Sequence, residues 1–205
     1  ACVCDAAVRL PQVFQSHMVL QRKQPIPVWG DASPGEEVTV TFGEASRRTI
    51  ANDQGKWRVT LPAQPESAKP QQLQVVGENE ITLSDVLVGD VWLCAGQSNM
   101  EWPLARVDNA KQEVAAAEHP NLRLLYLQGA ARGGSGVYTR QHIERLSADK
   151  FCRGEWEVCT PETARDFSAV AYFFGQRLHS KLDLPIGLIC PAIGGTPTEA
   201  WIRRG

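Results

Sequence analysis

The stretch Asp90-Val-Trp-Leu-Cys-Ala-Gly-Gln-Ser-Asn-Met100 decides how this chain is read. Its apolar run, Val91 to Ala95, breaks off at Gly96-Gln97-Ser98-Asn99. A short continuous apolar run of this kind reads as a strand buried on both faces. Open α/β sheets place their active sites just beyond the carboxyl ends of such strands. Ser98 therefore stands where a nucleophile would. A helix-capping serine explains the same residue without any chemistry. The Gly-x-Ser-x-Gly elbow is not matched either, because Met100 occupies the place of the second glycine.

Downstream, strand and helix signals alternate. Asp108 is expected to cap a helix through Ala117, with Val107, Ala110, Val114 and Ala117 on one face. His119-Pro120 stops it, and Leu122 to Leu127 reads as a second apolar strand. Gln128 to Thr160 reads as a long irregular connection, and a loop of that length in a compact domain is usually functional. Asp166 or Ser168 then caps an amphipathic helix, with Val170, Phe173, Phe174 and Leu178 expected inward. Ile186 to Cys190 is a third strand, followed by Pro191-Ala192-Ile193-Gly194-Gly195-Thr196. Strand, helix, strand, helix, strand implies right-handed crossovers and a parallel sheet. Gly194-Gly195 then returns to the same sheet edge as Ser98. A glycine there allows close backbone approach and an N–H aimed at a developing oxyanion, although a plain loop needs glycine too.

Upstream the pattern is all β. Val38, Val40 and Phe42 alternate with Thr39 and Thr41. Trp57, Val59 and Leu61 alternate after the Asp53-Gln54-Gly55 turn, and Leu73, Val75, Ile81 and Leu83 repeat the period. Short strands with turn signals about every ten residues suggest a small β-sandwich. The expected divisions are 1–8 as a remnant of an export signal, 9–84 as the β-sandwich, and 85–205 as the α/β part.

Composition narrows the functional classes. The chain has 205 residues, 43% hydrophobic and 21% charged, enough to bury a core. A net charge of -2 supplies no basic patch for nucleic acid. No apolar run is long enough to read as a membrane span. The six cysteines contain no Cys-x-x-Cys pair, and none lies at zinc-finger spacing from a histidine, so no metal is expected. Cys94 and Cys190 read as buried thiols, while Cys152 and Cys159 could pair in an oxidising compartment.

Val86-Leu-Val-Gly-Asp-Val-Trp-Leu-Cys-Ala-Gly-Gln-Ser-Asn-Met-Glu-Trp102 resembles the nucleophile block of the sialate O-acetylesterases, a branch of the SGNH hydrolases. Phe167 to Gly175, then Pro185 to Ile189, look like that family's next helix and strand. Gly194-Gly-Thr-Pro-Thr-Glu-Ala-Trp201 resembles its second block, and Met18 to Gln21 with Pro27 to Gly30 resemble its leading β domain. The resemblance implies an incomplete flavodoxin-like three-layer α/β/α hydrolase domain preceded by a small β-sandwich. It implies removal of O-acetyl groups from sialic acid or a related acetylated sugar, without a cofactor, in a periplasmic or secreted protein. Ser98 would be the nucleophile, with the oxyanion held by the N–H groups of Ser98 and Gly195 in preference to Gly194. Gln97, Asn99, Trp102 and Trp201 are candidate substrate-lining residues; Trp102, Trp201 and Tyr138 could stack on a sugar face or pack beneath the active-site loops. Asp90 and Glu199 read as structural.

The family also carries a third-block asparagine and a late Asp-x-x-His pair, neither visible here. None of His17, His119, His142 and His179 has an aspartate three residues before it. His142 comes nearest to a candidate base, because its loop could fold over the site. The base and its carboxylate are otherwise expected beyond Gly205 or on a second chain. The rival readings are an acetylxylan esterase-like deacetylase and a non-catalytic carbohydrate-binding module.

Overall fold

The computed structural model describes residues 7–130, 139–147 and 150–197, with the backbone alone at His142. The chain divides into two compact units, one up to Gly89 and one from Asp90.

The first unit is all β. Its strands are β1 (Val19–Gln21), β2 (Ile26–Asp31), β3 (Glu37–Phe42), β4 (Ala45–Ile50), β5 (Lys56–Leu61), β6 (Ser67–Val76) and β7 (Glu80–Leu93), whose residues from Asp90 on belong to the second unit. β4, β3, β6 and β7 pair antiparallel in that order, and β1 adds to β7 in parallel. β2 and β5 form a separate antiparallel pair. The period-two pattern sets which face is buried: Val38, Val40 and Phe42 are inside, as are Trp57, Val59 and Leu61. β4, Ala-Ser-Arg-Arg-Thr-Ile, lacks that pattern because it is largely exposed, so it gives no hydrophobic signal in the sequence. His17 and Asp85, both at positive φ, are joined by a 2.6 Å bond from Nδ1 to the carboxylate.

The second unit is mixed α/β around a central sheet. After β7 come α1 (Ser98–Glu101), a 3-10 turn (Leu104–Arg106), α2 (Ala110–Ala115), β8 (His119–Tyr126), β9 (Gln128–Gly129) and α3 (Arg140–Glu144). Then follow β10 (Cys152–Arg153), β11 (Trp156–Cys159), α4 (Pro161–Arg165), α5 (Ala169–Leu182) and β12 (Ile186–Cys190). The sheet order is β11-β8-β12-β7, with β8, β12 and the end of β7 parallel and β11 antiparallel at the edge. Parallel strands need crossovers, and α5 supplies the one from β8 toward β12.

Four expectations are corrected. The connection from Gln128 to Thr160 is not wholly irregular: β9 pairs with β10, and β11 extends the sheet. Only Trp156 and Cys159 of β11 are buried, too few to make a pattern between Gly154 and Pro161. α2 starts at Ala110 after Asn109 in the left-handed conformation, so Asp108 does not cap it. The second strand begins at His119, because a proline is tolerated near a strand's start.

The fourth correction concerns α5. Ser168 caps it, accepting from the Ala171 N–H at 3.2 Å. The helix buries Ala169, Ala171, Tyr172 and Gly175, whereas Val170, Phe173 and Phe174 are exposed. Apart from Tyr172, which is fully buried, the inward face is made of small residues because the helix lies close on the sheet. A Cβ on Gly175 would fall 2.6 Å from Leu188 Cδ1 and 3.0 Å from Leu122 Cδ1. Phe174 instead meets Trp92 edge to face, with ring centroids 5.1 Å apart.

Candidate active site

The register of β7 and β12 builds the site. Leu93 lies opposite Ile189, so both strands end side by side. The Cys94 N–H donates to the Ile189 carbonyl at 2.7 Å, and the Ile193 N–H donates to the Gly96 carbonyl at 3.1 Å. The loop after each strand is thus tied to the other. Gly96 is needed at this crossing, since a Cβ there would lie 2.9 Å from Met100 Cβ.

Ser98 opens the single turn of α1 and is exposed, as are Gln97 and Asn99. Its hydroxyl donates to Gln97 Oε1 at 3.3 Å, and no side chain caps the turn, so the capping reading of this serine does not hold. Gly194 approaches it closely: a Cβ there would stand 3.5 Å from Ser98 Oγ and 2.7 Å from Glu101 Oε2. Gly195 has a φ of 80°, the left-handed conformation that glycine takes without strain. Thr196 Oγ1 closes the turn by donating to the Ile193 carbonyl at 2.8 Å.

The two glycine N–H groups differ. That of Gly194 donates to Glu101 Oε2 at 2.8 Å and is therefore occupied. Among the described residues, the N–H groups of Gly195 and Ser98 have no acceptor. Two free donors beside one exposed hydroxyl can accept charge that develops on a carbonyl oxygen.

A cleft of about 470 Å³ opens over this point. Ser98, Glu101, Trp102, Arg106, Tyr126 and Asp166 are among its lining residues. Trp102 is 48% exposed, its Nε1–H donating to the Arg106 carbonyl at 3.1 Å and the Arg106 guanidinium lying 5.8 Å from its ring. A flat, half-exposed indole in a polar cleft is suited to stacking on a sugar face. Gln97 and Asn99, expected as lining residues, are not among the residues that line the cleft. Trp201, Tyr138 and Glu199 lie outside the described residues.

Sequence reasoning missed Glu101, Arg106, Tyr126, Gln128 and Asp166. Glu101 carried a signal, since it sits one helical turn after Ser98 and shares its face. The others come from three separate segments, and only the fold brings them together.

The thiols near the site are not nucleophiles at neutral pH. Burial, aided by the neighbouring Cys190, pushes Cys94 up to about 11. Burial likewise raises Cys190 and pushes Cys159 up to about 12. A thiol held protonated reacts poorly. Cys152 and Cys159 are not joined to each other in a disulfide, and Cys159 Sγ donates weakly to the Ala117 carbonyl at 3.7 Å.

No described histidine side chain lines the cleft. His119 lies within 3.4 Å of the Tyr172 hydroxyl and of Gln176 Nε2, and His179 Nδ1 donates to the Leu184 carbonyl at 2.9 Å. His17 is held by Asp85 in the first unit. The His142 side chain lies outside the described residues. Asp90 is where β7 passes into the second unit, its N–H donating to the Pro185 carbonyl at 3.0 Å. Among the described residues, no group of His, Cys, Asp and Glu could hold a metal ion, and no helix is long and apolar enough to cross a membrane.

No family model matches the chain. Over 94% of its length it is 33% identical to the sialate O-acetylesterase of Homo sapiens and 34% identical to that of Pongo abelii. It spans 38% of the length of each of these relatives. The crystal structure of a carbohydrate acetylesterase from Xanthomonas citri is similar, with a TM-score of 0.82 and 37% identity, covering 96% of this chain and 43% of that one. Sequence and fold together make the chain a relative of the sialate O-acetylesterases, matched to a portion of their length.

Proposed function

We propose that the chain carries the nucleophile half of a carbohydrate O-acetylesterase site. The observation that carries this reading is the exposed Ser98 hydroxyl beside two N–H groups without acceptors, those of Ser98 and Gly195. Ser98 Oγ attacks the acetyl carbonyl of an acetylated sugar, and its proton passes to a base. The carbonyl oxygen takes up negative charge and is held by those two N–H groups. The bond to the sugar oxygen breaks, the base returns the proton to that oxygen, and an acetyl-enzyme remains. Water then attacks the acetyl group, restoring the serine and releasing acetate.

A histidine and its carboxylate complete this chemistry from outside the described lining of the cleft, in a further segment or a second chain. The relatives' printed names favour an O-acetylated sialic acid as substrate. A cleft of about 470 Å³ falls in the range of small-ligand pockets, roughly 300–1,000 Å³. In this reading the first unit is a β-sandwich that leads into an SGNH hydrolase sheet; the described order β8-β12-β7 puts the third strand in the middle, which departs from the flavodoxin order. The fitting compartment is periplasmic or extracellular.

The test is acetate release from O-acetylated sialic acid by the protein as its gene encodes it. Ser98→Ala should lower kcat by about 1,000-fold or more, as loss of a catalytic serine does elsewhere. Unchanged turnover would remove Ser98 from the mechanism.

A further inference from the structure

Glu101 serves no step in the chemistry above, yet it is the side chain that joins the two halves of the site. It lies in the same helical turn as Ser98, its own N–H donating to the Gln97 carbonyl at 2.9 Å. Its carboxylate leaves that turn and accepts the Gly194 N–H at 2.8 Å. The residues joined are 93 positions apart in sequence. No other side chain in the described structure reaches the Gly194 N–H, and the fit is tight: a Cβ on Gly194 would come within 2.7 Å of Glu101 Oε2.

The neighbouring backbone shows what this bond controls. Gly194 and Gly195 are consecutive, and Gly195 turns through a φ of 80°. The Gly194 N–H held by Glu101 fixes the peptide plane between Ile193 and Gly194, and the Thr196 hydroxyl, donating to the Ile193 carbonyl, closes the same turn beyond it. The Gly195 N–H lies between these two fixed ends. The same anchor sets the separation of the glycine loop from Ser98, because Glu101 and Ser98 move as one turn.

We infer that Glu101 is a positioning residue: by accepting the Gly194 N–H it aims the Gly195 N–H at the oxyanion formed on Ser98 attack. The inference rests on the esterase reading above. It also assigns the two glycines different tasks, Gly194 as the anchor and Gly195 as the donor. What the role requires of residue 101 is a hydrogen-bond acceptor at the right reach, not a charge.

That requirement separates four variants of the protein as its gene encodes it, assayed on an O-acetylated sialic acid. Glu101→Gln keeps an acceptor oxygen at the same reach and should stay within about threefold of wild-type kcat. Glu101→Asp keeps the charge but withdraws it by one methylene, and Glu101→Ala removes the acceptor. Both should lose about 100-fold in kcat with KM within about twofold, the size expected when a reacting group is misplaced by about 1 Å. Ser98→Ala is run beside them. Full rates in Asp and Ala would overturn the inference. So would a Gln variant as slow as Ala, since that pattern demands a charge or a proton. The Asp and Gln variants keep the test decisive if Ala fails to fold, because both preserve a polar side chain there. An active Ser98→Ala would sink the esterase reading and this inference together. An inactive Ser98→Ala without the Gln–Asp contrast would sink only the role of Glu101.

Discussion

At the scale of single residues, Ser98 was legible because an apolar run ends abruptly at Ala95, three residues before it. Gly195 was legible for a related reason: two glycines after a strand signal a turn that other residues resist. Glu101 carried only its spacing of one helical turn after Ser98, and Arg106 carried nothing, since an acidic or basic residue after a helical turn is ordinary on any surface. Burial also acts on residues that no motif marks. His119 is packed beside Tyr172 and Gln176, with the His179 ring centroid 6.3 Å away. Burial chiefly, and the His179 charge next, lower its pKa below the ordinary 6.5, with Glu118 opposing. The unfolded chain therefore takes up a proton at a higher pH than the folded one. The stability this represents is present above pH 6.5 and is lost as the pH falls through the folded value. Thermal melts between pH 7.5 and 5.5 should show a smaller decline in His119→Gln than in the wild type. Equal declines in the two would show that His119 does not contribute.

At the scale of elements, the apolar pattern worked where one or both faces of a strand are buried and failed where a strand is exposed or short. β3, β5 and β12 were readable from their apolar residues, and β12 matches its expected span from Ile186 to Cys190. β4 and β11 were not readable, because one is exposed and the other is a short edge strand beside a turn. The helix α5 shows a different limit. Of the apolar residues expected inward, Leu178 packs against the core, but Val170, Phe173 and Phe174 are exposed and the sheet takes Ala171, Tyr172 and Gly175. Hydrophobicity ranks residues by size, whereas close packing of a helix on a sheet selects by fit. Gly175→Val makes the point testable. The added branch would meet Leu188 and Leu122, and overpacking of this kind should cost about 1–3 kcal/mol. Urea denaturation should show the midpoint fall accordingly. A variant as stable as the wild type would mean that α5 is not held against the sheet at Gly175.

At the scale of the whole molecule, the order of elements carried most of the information. Strand, helix and strand after Asp90 predicted a parallel sheet, and the sheet brings the ends of β7 and β12 side by side. Sequence alone did not give the cleft, because its walls come from α1, the 3-10 turn, the end of β8, β9 and the segment before α5. The chain spans well under half the length of the relatives it matches, and the described cleft is lined by the exposed Ser98 but by no described histidine side chain. The account therefore stands on the serine. The most direct measurement is a fluorophosphonate reaction with the protein as its gene encodes it, followed by peptide mass spectrometry. The account predicts one phosphonyl adduct, on Ser98, that is blocked by prior incubation with an O-acetylated sugar. An adduct on another serine, with Ser98 unmodified and acetate still released, would contradict it.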